Sequence, residues 1–331
     1  MRQSGAIVER PLKKKIPARS SKKRVIVISG PTAIGKTNIS LSIAQTIGGE
    51  IISADSCQVY RGMDIGTAKV TPEDQALITH HMIDICDIDE VFNVAAFEKC
   101  AKKALHQIFS RENVPIIVGG SGFYIRTLLY GPPMGPPSDK AVRDRIEKQM
   151  EELGPEFFYE RLQLLDPTYA ETISAQDRQK IVRAFEIMTL SERKVSDFPK
   201  PETSEEQEYD FRCWFLYSTR DTLYSRIEAR CEEIIQNGFL DEVRMLDQKG
   251  LRKNPSASQA IGYRQALEYL DSPQTTADFE EFKTKFKKAT RHFAKRQFTW
   301  FRKEPMFRWL DINEYTPDRL KEIILQDYEQ G

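Results

Sequence analysis

The sequence predicts an α/β fold, a core of parallel strands flanked by helices with an all-helical unit inserted into it. Three observations carry that reading. Short β-branched runs alternate with helical stretches over residues 24–130, and a glycine loop joins the first run to the first helix. A proline-rich break then opens a block with helical periodicity alone, after which a strand resumes.

Val25, Ile26, Val27 and Ile28 form an unbroken apolar run, the pattern of a strand buried on both faces. Gly30, Pro31, Thr32, Ala33, Ile34, Gly35, Lys36 and Thr37 follow it and lead into the apolar-periodic stretch 39–47. Strand, glycine loop and helix in that order make a phosphate-binding P-loop. Its backbone N–H groups and the positive end of the helix cradle phosphate, Lys36 reaches the terminal oxygens, and Thr37 is placed to hold Mg²⁺. Diphosphates and triphosphates look alike to such a loop, so a nucleotide such as ATP remains one candidate ligand. Residues 50–54 predict a second strand, 97–111 a helix and 114–118 a strand, which runs into Gly119, Gly120, Ser121 and Gly122. Ligands of such sheets bind at the carboxyl ends of the strands, where Asp55, Ser56 and the second glycine loop fall.

The segment 131–137, with four prolines, cannot be helix or central strand. Beyond it, 138–193 reads as all-helical, with Ser138 as N-cap and 177–191 strongly periodic. A polar linker at 199–206 closes the unit, a strand resumes at 211–217, and helices follow at 222–237 and 240–249. The expected organisation is a P-loop NTPase-like core from 24–131 and 208–311, a helical insertion at 132–200 and a C-terminal tail at 312–331. Residues 1–23 carry six Lys or Arg after position 12 and read as a disordered basic tail in preference to a mitochondrial presequence.

Composition narrows the class. Hydrophobic residues make up 40% and charged residues 30% of the 331, the balance of a soluble globular protein. No run approaches the roughly 18 apolar residues of a membrane span, and no secretory signal is evident, so a cytoplasmic protein without membrane contact is expected. The cysteines at 57, 86, 100, 213 and 231 are scattered without a C-x-x-C pair, which indicates reduced thiols rather than disulfides or structural zinc. The 49 basic residues equal the 49 acidic ones, so net charge alone would not hold nucleic acid. Locally the balance differs. Residues 283–303 carry nine Lys or Arg and no carboxylate, interleaved with Phe286, Phe293, Phe298, Trp300 and Phe301. Such a helix can bind a phosphate backbone and stack on bases, or simply solvate one face and bury the other.

Asp55 is isolated from other acids and ionised at neutral pH, so beside a cationic electrophile it could orient and deprotonate a nucleophile. The strand at 114–118 lacks the acid that motor-type ATPases place there; Ser121 instead offers a hydroxyl to a phosphate or leaving oxygen. His80 and His81 point to opposite sides of an extended segment and have no third ligand at metal spacing, which favours structural or substrate-positioning roles. Arg220, Arg226 and Arg230 lie on or beside one helix, suited to a diphosphate clamp or to surface ion pairs. On these residues alone a small-molecule kinase and a noncatalytic RNA-binding protein also remain open.

The glycine loop, the run from Asp55 to Lys69, His80-His81-Met82-Ile83-Asp84, Val118 to Tyr124, Ile261-Gly262-Tyr263-Arg264-Gln265 and Lys295 to Arg302 together resemble the tRNA dimethylallyltransferase family, in order, from about Arg24 to Arg308. The resemblance implies transfer of a dimethylallyl group from dimethylallyl diphosphate to N6 of the adenosine 3′ to the anticodon, with Mg²⁺ as cofactor. It implies that Asp55 is the general base and that Lys36, Thr37, Ser121 and Arg230 attend the diphosphate. It further implies tRNA contacts from Asp55, Ser56, Cys57, Gln58, Ser121, Arg143, Gln176, Asp177, Arg178, Gln179, Lys180, Ile261, Gly262, Tyr263 and Arg264. Lys295, Arg296, Gln297, Phe298, Thr299, Trp300, Phe301 and Arg302 complete that set. The family commonly has threonine at Ser121, a change that keeps the hydroxyl, and the zinc-finger extension of eukaryotic members is absent. A bacterial-type monomer acting on the tRNA anticodon stem-loop is expected, with prenylation of free adenine nucleotides as the alternative within the same chemistry.

Overall fold

Residues 25–28 form the middle of strand β1 (Lys23–Ser29), and their side chains alternate between two cores. Val25 and Val27 enter one, Ile26 and Ile28 the other, and all four are fully buried. This is why the run has no polar position. The computed structural model describes residues 22–132, 135–199 and 208–330.

After β1 come helix α1 (Lys36–Ile47), strand β2 (Gly49–Ser53), helix α2 (Pro72–Leu77), strand β3 (His80–His81), helix α3 (Val94–Ser110), strand β4 (Val114–Val118) and helix α4 (Gly122–Tyr130). Helices α5 (Lys140–Leu153), α6 (Pro155–Leu165), α7 (Pro167–Ala170) and α8 (Arg178–Ser191) form the insertion. The sheet resumes with β5 (Tyr209–Tyr217), then α9 (Arg220–Gln236), α10 (Phe239–Gln248), α11 (Tyr263–Leu270), α12 (Thr276–Phe301), β6 (Phe307–Asp311) and α13 (Pro317–Gln330). The six strands are parallel, in the order β3-β2-β4-β1-β5-β6. The loops leaving β1, β2 and β4 therefore emerge side by side at one edge, where the glycine loop, Asp55 and Ser121 meet.

The insertion is built on its own apolar centre, with Ile146, Met150, Phe158, Leu162, Ile181 and Val182 buried together. Its first helix is capped by Asp139, which accepts from the Val142 N–H at 2.9 Å, and not by Ser138 as the sequence suggested. Ser138 instead donates to the buried Glu186 at 2.5 Å, fastening the entry of the insertion to α8. The polar linker at 199–206 lies, beyond Pro199, outside the described residues.

Helix α12 spans 26 residues and opens with a reciprocal cap between Thr275 and Asp278. Phe282, Phe286, Thr290, Ala294, Gln297 and Phe301 recur every three or four residues along its buried stripe. The aromatics of this basic segment are thus divided: Phe286 and Phe301 serve the core, while Trp300 remains exposed. Its cations divide as well. Lys283, Lys285, Lys287 and Arg291 are paired with glutamates, whereas Lys288, Lys295, Arg296, Arg302 and Lys303 are exposed without an ion pair among the described residues.

Both ends of the core depart from expectation. Residues 1–21 of the predicted basic tail lie outside the described residues, but Lys23 already belongs to β1 and pairs with Glu208 at 2.8 Å. The stretch expected as a C-terminal tail forms α13, which packs on α1. Its Leu320 and Ile324 enter the same core as Ile39 and Ile43, a four-residue spacing that marks a helix face. Arg24 donates to the Tyr328 carbonyl at 2.8 Å and the Glu329 carbonyl at 3.2 Å, satisfying the end of the helix. Asp327 accepts from Arg212 at 3.4 Å and also from Arg308. Ile324→Ala is expected to lower unfolding free energy by about 2–4 kcal/mol, because it empties a fully buried position. Urea unfolding of the variant should show a lower midpoint with an unchanged slope.

Candidate active site

The carboxyl ends of β1, β2 and β4 open into a cleft of about 770 Å³. The glycine loop forms one wall. Ala33 (φ 65°) and Gly35 (φ 100°) both take left-handed backbone, the conformation that aims successive N–H groups at an anion. Helix α1 begins at Lys36 with no acid in its first turn, so its positive end is left for a ligand. Thr37, exposed on that first turn, lines the cleft.

Lys36 folds back over its own loop and donates to the carbonyls of Gly30 and Pro31, both at 2.9 Å. An ammonium has three donors, so one remains for a phosphate oxygen. Burial first, and then the nearby Arg230, bring its pKa down to about 7 against the opposing pull of Asp55. Arg230, from α9, has its own pKa pushed down by burial, with Asp55 again opposing. Two cations and one carboxylate thus share a space in which the cations repel each other until an anion arrives.

Asp55 is held by its own turn. Its Oδ1 accepts from the Cys57 N–H at 2.8 Å and the Gln58 N–H at 3.4 Å, while Oδ2 has no donor among the described residues. That second oxygen can take a proton. Ser121 sits opposite, its Oγ accepting from the Ser56 N–H at 3.2 Å. Cys57 stays a thiol, because burial and then Asp55 push its pKa up to about 12.

Gln297 joins the two glycine loops. Its side chain is buried, with Oε1 accepting from the Thr32 N–H at 2.9 Å and Nε2 donating to the Gly120 carbonyl at 3.1 Å. One amide therefore ties α12 to both glycine loops. Phe301 and Tyr263 are also buried, Phe301 against Phe215 and Tyr263 with its hydroxyl donating to Glu242 at 2.6 Å. Gly262 is buried too, its N–H bound to Gln265 at 2.8 Å. All four are buried; Tyr263 and Gln297 also border the cleft, whereas Gly262 and Phe301 do not. Lys295, Arg296, Thr299, Trp300, Arg302 and Arg264 are exposed, and Phe298 and Ile261 are half-buried. Of the expected tRNA set, Asp55, Ser56, Cys57, Gln58, Ser121, Ile261, Tyr263, Arg296 and Gln297 line the cleft.

In the insertion, Gln176, Arg178, Gln179 and Lys180 are exposed at the start of α8, with Asp177 bonded to Lys180 at 3.1 Å. Arg143 lies on α5, at 3.9 Å from Glu147 and from Glu186. Arg226 donates to the Ile34 carbonyl at 3.2 Å and lines the cleft with Arg230, whereas Arg220 lies over Tyr224 away from it.

The two histidines do face opposite ways. His81 bonds Glu50 at 2.7 Å. Burial would raise the Glu50 carboxyl, but bonds from Arg111, Asn113 and His81 outweigh it and hold it at about 2. His80 lines the cleft, with Nδ1 on the Ile78 carbonyl at 2.7 Å and burial lowering its pKa. The sequence reading missed Glu242, a buried acid on α10 that organises the turn after Asp55. In sequence it looks like any first-turn helix acid, and only its neighbours distinguish it.

An arriving diphosphate should recharge Lys36. With a free-state pKa of about 7, binding should take up about 0.9 proton at pH 8 and about 0.1 at pH 6, since the bound anion restores the ammonium. Titration calorimetry of inorganic diphosphate in buffers of different ionisation enthalpy measures this uptake. Lys36→Gln should remove the pH 8 component, and equal uptake by both proteins would contradict the assignment.

Similarity to known proteins agrees with this geometry. Residues 58–304 match the family model described as IPP transferase. The tRNA dimethylallyltransferase of Protochlamydia amoebophila is 56% identical over 320 residues, covering 96% of this chain and 93% of that protein. The tRNA isopentenylpyrophosphate transferase structure from Bacillus halodurans is 34% identical with a TM-score of 0.67, covering 93% of this chain and 98% of that one. A eukaryotic dimethylallyltransferase solved acting on tRNA is 28% identical with a TM-score of 0.72, covering 87% of this chain and 74% of that one. With the glycine loop, Asp55 and Ser121 gathered at one sheet edge, these likenesses make the chain a member of the IPP transferase family, the tRNA dimethylallyltransferases.

Proposed function

We propose that this chain transfers the dimethylallyl group of dimethylallyl diphosphate to N6 of the adenosine 3′ to the anticodon in tRNA, releasing diphosphate. The observation that carries the reading is Asp55, with one oxygen unengaged, set within electrostatic reach of Lys36 and Arg230 in the cleft of a family member.

N6 of adenine is a weak nucleophile, so the reaction depends on weakening the bond between the allylic carbon and the diphosphate oxygen. As that bond breaks, negative charge grows on the leaving group. The glycine-loop amides, the third Lys36 donor and the Arg230 guanidinium meet it. A bond forms from N6 to the allylic carbon, and the proton displaced from N6 passes to Oδ2 of Asp55. Ser121, between the loops, has a hydroxyl proton to give an oxygen of the departing diphosphate. Among the described residues no group of three or more His, Cys, Asp or Glu could hold a metal ion. The donor set instead fits Mg²⁺ carried mostly by phosphate oxygens and water, with the Thr37 hydroxyl as the protein ligand; the ion would add charge neutralisation on the diphosphate.

The target base must leave its stack to enter the cleft, which an RNA loop permits at small cost. The exposed Lys295, Arg296 and Arg302 on α12, with Arg143 and residues 176–180 of the insertion, are the proposed grip on the anticodon stem-loop. This surface disfavours free nucleotides as acceptors, and the acid-free β4 disfavours a motor-type ATPase. No helix among the described residues is long and apolar enough to cross a membrane. The proposed working form is a cytoplasmic monomer.

Asp55→Ala should lower turnover about 10²–10⁴-fold while the protein still binds an anticodon stem-loop, read by single-turnover prenyl transfer beside a filter-binding isotherm. Labelled prenyl groups reaching free nucleotide but never RNA would overturn the tRNA assignment. Lys295→Ala with Arg296→Ala should weaken RNA binding and reduce its log–log salt slope by about 1.5 without abolishing diphosphate binding. Equal losses for both ligands would point to misfolding.

A further inference from the structure

The run from Asp55 to Lys69 continues past the catalytic carboxylate into a turn at residues 64–67, and the turn rests on one buried acid. Oε2 of Glu242 accepts from the Asp64 N–H at 2.9 Å and the Ile65 N–H at 2.6 Å. Oε1 accepts from the Gly66 N–H at 3.0 Å and the Tyr263 hydroxyl at 2.6 Å. All four partners are neutral donors, and Glu242 itself lies in the first turn of α10, where the helix favours a negative charge. The turn is also pressed onto an aromatic floor. A Cβ at Gly66 would lie 2.3 Å from Phe239 and 2.6 Å from Tyr263, so only glycine lets the backbone sit this close.

The carbonyl of the next residue, Thr67, faces the cleft side. It accepts from Arg230 Nη2 at 3.4 Å and from Gln58 Nε2 at 3.5 Å. We infer that Glu242 is a positioning residue for the prenyl-diphosphate clamp, fixing the turn whose Thr67 carbonyl sets where the Arg230 guanidinium stands. The inference rests on the function proposed above. Glu242 lines no part of the cleft, so it acts through the groups it holds; of these Gly66 and Tyr263 border the cleft, and the inference assigns the effect on the donor to the path through Thr67 and Arg230.

Glu242→Gln tests this because an amide has one acceptor oxygen where the carboxylate has two. Whichever way the amide turns, at least one N–H of the turn faces another donor and is left unpaired. The Km for dimethylallyl diphosphate should rise roughly tenfold, with the Km for an anticodon stem-loop changed less than about twofold. In an Arg230→Ala background the same substitution should add less than about a twofold further loss, because the path it acts through is already gone. Full additivity with Arg230→Ala, an unchanged donor Km, or an equal rise in both Km values would overturn the inference. If Glu242→Gln does not unfold cooperatively, Glu242→Asp decides by the same criteria, since it keeps the charge and shortens the reach by one methylene. Inorganic diphosphate binding, measured alongside, separates the two readings. A wild-type protein that binds diphosphate but prenylates no RNA refutes the proposed function, whereas normal transfer by wild type with normal donor affinity in Glu242→Gln refutes only the role of Glu242.

Discussion

The side-chain amide of Gln297 is the contact on which the site depends. It presents an acceptor to the N–H of Thr32 and a donor to the carbonyl of Gly120, so it spans the loops that follow β1 and β4. A carboxylate or an ammonium could satisfy only one of those partners. Because the amide is buried, both bonds form out of water, where an unpaired backbone group is costly. The two glycine loops and the helix bearing the exposed cations are thereby tied together through one residue.

Around that unit the chemistry is a matter of unspent charge. Lys36 and Arg230 are pressed together without an anion, and Asp55 offsets only part of their repulsion. Under the proposed function, diphosphate would relieve this repulsion as it binds, which makes binding energy available where the bond breaks. Lys69 shows the opposite case. Its ammonium is almost wholly buried yet meets Asp64 at 2.5 Å, Asp84 at 2.6 Å and the Tyr60 carbonyl at 3.0 Å, which suits a structural pin.

The fold was legible because two-faced burial leaves a mark in sequence: residues 25–28 and 114–118 admit almost no polar side chain, and the glycine loop sits where topology demands. The division of the basic helix was half legible. The spacing from Phe282 through Phe286 to Phe301 predicts a buried stripe, but Gln297 lies on that same stripe and reads as polar surface until its partners are seen. The bond from the Tyr263 hydroxyl to Glu242 has no local mark either, since the partners lie 21 residues apart. Long-range pairs such as Asp64 with Glu242 leave no local period. The terminal helix was legible in principle through Leu320 and Ile324, yet a short polar stretch at a chain end reads as a tail.

Helix α13 has a consequence for how the glycine loop is held. It packs on α1, and Arg24 at the start of β1 reaches its final carbonyls. The strand and the helix on either side of the glycine loop are therefore both braced by one segment far away in sequence. Loosening α13 would slacken both walls of the loop together, although none of its residues lines the cleft.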